Sequence, residues 1–352
     1  MSHETRVSSP VIDALEVEEL TGLECDPVSV GTTTLPSRSV PSRHQSVPVP
    51  ANEPKVPKNR LPLMKRFPNG INWVVTGWMT MMHIGGIAAF WYFSWSGLAL
   101  LVGLHFVTAC LGITLGYHRL LTHNGMTVPN WFRGFVSICG MLSAEGSPLQ
   151  WVATHRKHHV HSDGDEDPHS PNHGSWWSHM LWFAGKDTDE ELETLYRRWA
   201  PDMYKDPMQQ FFHKTFILYP ILLGVILYGL GQYFFQDGLS WVLWGLCLRM
   251  VVAYHSTWFV NSATHIWGYR NYETTDRSRN LWWVAILSYG EGWHNNHHAH
   301  QLLARHGHRW WEFDVTYQVI RLLKWTGIAK NVHDRVPEAS GKTLGYRGSN
   351  HN

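Results

Sequence analysis

Gly290-Glu291-Gly292-Trp293-His294-Asn295-Asn296-His297-His298-Ala299 is the stretch from which the rest of the chain can be read. On a helix, His294 shares a face with His297 and His298, because i+3 and i+4 neighbours lie one above the other. Three imidazoles so placed repel when protonated and are best held by a shared cation. Neutral imidazole suits iron, zinc, copper and nickel. Taken alone, the stretch could still be a surface histidine cluster. The chain, however, repeats the pattern. His155-Arg156-Lys157-His158-His159 has the same H-x-x-H-H spacing, and His118-Arg119-Leu120-Leu121-Thr122-His123 adds an H-x-x-x-x-H pair. Eight histidines in three boxes are too many for one tetrahedral zinc, so two metal ions are implied.

The 352 residues have room for one large domain or two small ones. A net charge of +1 gives no electrostatic footprint for a nucleic-acid partner. The 20 tryptophans fit a membrane protein, where indoles favour the lipid–water interface. Mean hydropathy is slightly negative only because long polar segments dilute strongly apolar ones. Cys25, Cys110, Cys139 and Cys247 lie far apart, with no zinc-like or disulfide spacing. No signal peptide is expected, since the first twenty residues carry Glu4, Asp13, Glu16, Glu18 and Glu19 and no apolar core.

In chain order, residues 1–60 read as a disordered tail rich in Ser, Pro, Val and Thr, residues 61–325 as the membrane domain, and 326–352 as a polar tail. Lys55, Lys58, Arg60, Lys65 and Arg66 precede the first apolar run and place its start in the cytoplasm by the positive-inside rule. Trp73 to Phe93 and Leu98 to Tyr117 form one expected membrane hairpin; Phe216 to Phe235 and Leu239 to Phe259 form a second, each run near the ~20 residues a bilayer needs. Lone His83 and His105 read as packed, hydrogen-bonded side chains, and Arg249 must face the protein interior. Residues 131–150 read as one interfacial or re-entrant helix. The polar region that follows, to about Gln210, cannot lie in lipid. Two hairpins bring the chain back to its starting side each time, so all three boxes fall on one membrane face.

The boxes, with Gly116-Tyr117-His118-Arg119, Asp167-Pro168-His169 and Trp258-Phe259-Val260-Asn261-Ser262-Ala263-Thr264-His265, resemble the membrane fatty-acid desaturases, over roughly residues 60 to 320. The details favour the stearoyl-CoA and bacterial and plant acyl-lipid Δ9 branch. The resemblance implies an all-α fold: four transmembrane helices in two hairpins under a cytoplasmic helical cap. It also implies two irons held by His118, His123, His155, His158, His159, His294, His297, His298 and a ninth histidine, His265, with Asn261 reaching one iron through water. Trp151 matches a tryptophan lining the acyl tunnel in that family; a packed structural indole is the competing reading. His161, His169, His179, His300, His306 and His308 match no ligand position, and His308 reads as a surface residue.

The resemblance further implies removal of two hydrogens from adjacent carbons of a saturated acyl chain, CoA- or lipid-linked, with O2 as co-substrate. An unactivated C–H bond is beyond acid–base side chains, so an iron-based oxidant is expected. Asp163, Asp165, Glu166, Asp167 and Glu291 are candidates to hold the imidazoles by their other N–H, exposed acidic loops being the ordinary reading of the first four. No haem, iron–sulfur or nucleotide-binding motif is present, so the electrons are expected from a separate ferredoxin or cytochrome b5 with its reductase. Arg156, Lys157, Arg305 and Arg309 could dock such a donor or hold the substrate's headgroup. The rival readings are a histidine-box hydroxylase acting on an alkyl or carotenoid substrate and a non-enzymatic metal transporter. The second would need its ligands at the bilayer midplane, where the boxes do not lie.

Overall fold

The computed structural model describes residues 66–336. The tail 1–60, Cys25, the basic residues Lys55, Lys58, Arg60 and Lys65, and residues 337–352 lie outside the described residues. Among the described residues there is no β-strand. In order come α1 (Trp73–Ala88), α2 (Trp95–Thr122), α3 (Asn130–Met141), α4 (Pro148–His161), α5 (Asp189–Trp199), α6 (Pro201–Lys205), α7 (Pro207–Thr215), α8 (Leu218–Phe235), α9 (Gly238–His265), α10 (Trp282–Leu287), α11 (His294–Ala299) and α12 (Val315–Trp325). Four of them, α1 (prolonged by a turn to Trp91), α2, α8 and α9, are long and apolar enough to cross a membrane.

α1 and α8 form an outer pair. Val74, Ile84 and Ile87 of α1, and Leu222, Val225 and Phe234 of α8, are exposed. Apolar surface of this extent suits lipid and not water. α2 and α9 are the inner pair, and Met82 of α1 packs with Trp244, Cys247, Met250 and Tyr254 of α9. The two hairpin tips are tied together. Ser94 and Ser240 lie 2.7 Å apart through their hydroxyls, and the Trp241 indole donates to Ser96 at 3.0 Å. The histidine-bearing ends of α2 and α9 therefore sit at the opposite end of the bundle.

The polar residues inside the spans behave as expected. Arg249 is fully buried and donates to the carbonyls of Gly245 (3.1 Å) and Leu142 (3.0 Å) and to the Thr108 hydroxyl (3.3 Å). His105 meets the Tyr289 hydroxyl at 2.7 Å, and His83 meets the Met79 carbonyl at 2.7 Å.

Two expectations are corrected. α2 runs on to Thr122 and α9 to His265, past the ends of their apolar runs. Their last turns carry polar side chains that find buried partners, so polarity ends the apolar pattern without ending the helix. Residues 131–150 form two helices instead of one. α3 stops at Met141, Ala144 takes a positive φ of 56°, and α4 starts afresh. The Ser147 hydroxyl accepts from the Gln150 N–H at 3.2 Å and Pro148 occupies the first turn, where its missing N–H costs nothing. α3 packs backbone to backbone on α2: a Cβ on Gly112 would stand 2.4 Å from the Gly140 nitrogen.

Candidate metal centre

Nine histidines converge in two groups. His118, His123, His155, His159 and His297 form one; His158, His265, His294 and His298 form the other. Within each, one ring nitrogen per residue lies within 4.8 Å of all the others. The two H-x-x-H-H boxes divide between the groups in opposite senses. His155 and His159, the i,i+4 pair of α4, serve the first group while His158 serves the second. On α11 the pair His294 and His298 serves the second group while His297 serves the first. One helical turn aligns i with i+4, and the i+3 residue is offset enough to reach the neighbouring group.

The H-x-x-x-x-H box works through a different register. On an ordinary helix His118 and His123 would be turned about 140° apart. From Phe106 to Thr122, however, α2 widens to π-type hydrogen bonding, and the His123 N–H donates to the carbonyl of His118 at 3.2 Å. That register brings residues five apart into line, and the two rings stand 4.8 Å apart.

Carboxylates set the tautomers. Nδ1 of His118 faces Glu291 at 2.6 Å, that of His158 faces Asp167 at 3.0 Å, that of His265 faces Asp163 at 3.1 Å and that of His298 faces Asp276 at 2.6 Å. With the proton on Nδ1, each Nε2 is a bare lone pair turned inward. Nε2 of His118 lies 3.0 Å from Nε2 of His297, which lies 3.0 Å from Nε2 of His159; His294 and His265 meet the same way at 3.1 Å. The Nε2 atoms of His123, His158 and His298 are buried and have no hydrogen-bond partner. Converging lone pairs call for a cation. Two nitrogens about 2.1 Å from one ion stand about 3.0 Å apart at a right angle and about 3.4 Å apart at a tetrahedral angle. Pairs at 3.0 to 3.1 Å are close enough for both nitrogens to share one ion.

Charge is arranged to match. Burial, reinforced by neighbouring imidazoles, holds His123, His155, His159, His294 and His297 well below the usual histidine range, so they stand neutral and ready to ligate. Burial alone would raise Glu291, yet Arg119 and His118 hold it well below the carboxylate range. Arg119 pairs with Glu291 at 2.9 Å and with Asp314 at 2.8 Å, all three being buried.

The Gly-Glu-Gly-Trp start and the Asn-Asn insert of the third box are structural. Gly290 has φ of 119°, and a Cβ there would stand 2.4 Å from Asp314 Oδ1; one on Gly292 would stand 2.1 Å from the Ala285 nitrogen. Asn296 donates to Glu312 (2.7 Å) and the His306 carbonyl (2.8 Å) and accepts from Asn280 and Asn271, each at 2.8 Å. Asn295 accepts from the backbone N–H groups of Asn271 and Tyr272 at 2.7 and 2.8 Å. The two asparagines lock α11 between the loops before and after it.

Other candidates fall on either side. Asp165 and Glu166 are exposed, as acidic loops usually are, whereas Asp163 and Asp167 turn inward. Asn261 lies one turn before His265 and is half-buried. Trp151 stacks on His155 at 4.8 Å, and Thr257 donates to half-buried Glu145 at 3.2 Å; desolvation pushes that carboxyl up to about 8. His308 is not a surface residue: it meets the Tyr272 hydroxyl at 2.9 Å, and burial pushes it down to about 3. Arg156 is committed to Asp202 at 2.6 Å and to the carbonyls of Leu121 and Thr122, which explains its presence without a docking role. His306 and His169 are buried beside the groups, 4.5 Å from the His297 ring and 4.2 Å from the His158 ring. His179 bonds Ser262 and His255, away from the groups. Asp276 was missed: it sits in a polar loop far from any box, and no sequence spacing ties it to His298.

Comparison with known proteins agrees with this geometry. A family model described as fatty acid desaturase matches residues 90–323. The chain is 48% identical over 264 residues to an sn-1 stearoyl-lipid 9-desaturase of Anabaena variabilis, covering 74% of this chain and 94% of that protein. It is 39% identical over 252 residues to Delta-9 acyl-lipid desaturase 1 of Arabidopsis thaliana (71% and 80% covered). It is 40% identical over 255 residues to an icosanoyl-CoA 5-desaturase of Limnanthes douglasii (72% and 70% covered).

Proposed function

Because the chain belongs to the fatty acid desaturase family, we propose that it inserts a cis double bond at Δ9 of a saturated, lipid-linked acyl chain, using O2 at a centre of two irons. The observation that carries this reading is the convergence of nine imidazoles, lone pairs inward, in two adjoining groups. The relative named for stearoyl-lipid 9-desaturation supports the position and the lipid carrier. Removing two hydrogens while reducing O2 to two waters takes two electrons and two protons from outside. Bound iron supplies the oxidant that such a C–H bond requires.

The chain's own residues prepare the site. His118, His158, His265 and His298 are oriented by Glu291, Asp167, Asp163 and Asp276, and the other five ligands are kept neutral by burial or packing. Asn261, one turn before His265, would help to hold one iron through a water molecule. Trp151, stacked on His155, walls the approach of the acyl chain, and Glu145 beside it is protonated at neutral pH and shows that chain no charge. The four apolar helices lie in a bilayer with the histidines on its cytoplasmic side. A separate ferredoxin, or cytochrome b5 with its reductase, delivers the electrons.

The test is the fatty-acid profile of a host lacking its own Δ9 desaturase, carrying this chain or its His297→Ala variant. A new Δ9 monoene in the lipid fraction, absent with the variant, is the expected result. A double bond elsewhere, product confined to acyl-CoA, or a hydroxylated chain would overturn the position, the carrier or the reaction respectively.

A further inference from the structure

The two histidine groups differ in what stands behind them. In the four-histidine group three imidazoles are backed by aspartates: His158 by Asp167, His265 by Asp163 and His298 by Asp276. Neutral donors pin these aspartates. Asp163 accepts from the Arg277 N–H at 2.6 Å, Asp167 from the N–H groups of Asp163 and His169 at 2.9 and 3.1 Å, and Asp276 from the Ser278 N–H at 3.0 Å and the Thr274 hydroxyl at 2.8 Å. Such donors fix a carboxylate's direction and leave its charge in place.

In the five-histidine group only His118 has a carboxylate partner among the described residues, and that carboxylate is shared. Glu291 also receives Arg119 through two guanidinium nitrogens, at 2.9 and 3.1 Å. Nδ1 of His159 and of His297 is buried with no hydrogen-bond partner. Three carboxylates held by neutral donors therefore bear on one site, and on the other a single one that shares the Arg119 guanidinium with Asp314. A carboxylate on the far nitrogen makes an imidazole a stronger donor, and losing one such partner typically weakens metal binding by about 10–100-fold. A fifth neutral imidazole adds one donor atom to the other site; it adds no charge against a divalent ion.

We propose that the two metal sites are unequal: the His158/His265/His294/His298 site, backed by Asp163, Asp167 and Asp276, takes its divalent ion first and holds it tighter than the five-histidine site. This rests on the two-metal reading above. Asp276 is then a positioning residue that acts through His298.

The test is titration of the chelator-stripped full-length protein in detergent with Co2+, following visible absorption and bound metal. Two steps of one Co2+ each are expected, about tenfold or more apart. His294→Ala removes the tighter step and leaves the weaker; His123→Ala does the reverse. Asp276→Asn, the mildest change, weakens the tighter step by about 10–100-fold and leaves the other unmoved. Circular dichroism confirms that each variant is folded. Two steps of equal strength, or a tight step that survives His294→Ala and is lost in His123→Ala, overturn the inequality. Folded wild-type protein that binds no Co2+ overturns the two-metal reading itself.

Discussion

Asp163 accepts from Nδ1 of His265 at 3.1 Å, while Asp165, two positions along the same acidic loop, is exposed. Residue type and neighbourhood are the same for both; only the loop's path separates them, with Asp163 itself at a positive φ of 62°. Asp163→Asn is expected to lower bound metal and desaturation by about 10–100-fold, because the amide no longer offers an anionic acceptor to that imidazole. Asp165→Asn should change stability by no more than about 0.5 kcal/mol and leave metal content unchanged. Metal analysis of the two purified variants checks this, and equal losses would remove the orienting role given to Asp163. At this scale the nine histidines were legible before the fold was seen: eight from their spacing, His265 from its family match. Their partners were less so. Glu291 is next to a box, whereas Asp276 reaches His298 only through a loop that folds back 22 residues.

The elements explain why the boxes have the spacings they do. H-x-x-H-H places an i,i+4 pair on one group and the third imidazole on the other, and α4 and α11 use the rule in opposite senses. H-x-x-x-x-H needs the widened register at the end of α2, a feature at odds with ordinary helical period and therefore invisible to a reading at 3.6 residues per turn. α11 is only six residues long and owes its place to the elements around it. Gly292→Ala is expected to break that placement, since the new methyl would stand 2.1 Å from the Ala285 backbone nitrogen. Overpacking of this kind costs about 1–3 kcal/mol or more. Gly77→Ala on α1, where nothing stands within 4 Å of the added carbon, should leave the melting temperature level or raised. Thermal unfolding in detergent compares the two, and equal behaviour would refute the packing argument.

For the molecule as a whole, four apolar helices, two tied hairpin tips and histidine groups at the other end of the bundle agree with the parity read from the chain. A Gln236→Cys variant at the second tip and a Glu193→Cys variant on α5 are expected to react with a membrane-impermeant maleimide from opposite sides. Cys25→Ser is needed as background, since Cys110, Cys139 and Cys247 are buried. Labelling of both from one side would overturn the topology. The sequence by itself determined the helical class, the four apolar helices, the inward Arg249 and eight of the nine histidines that converge. Each of these follows from local spacing or from the cost of polarity in lipid. Tertiary structure alone decided how nine imidazoles divide into five and four, which acidic residues back them, and that one such carboxylate, Glu291, shares the Arg119 guanidinium with Asp314. Several of those outcomes depend on contacts between segments 100 to 200 residues apart, such as Asp163 with His265 and Arg119 with Asp314, and local pattern carries no information about them.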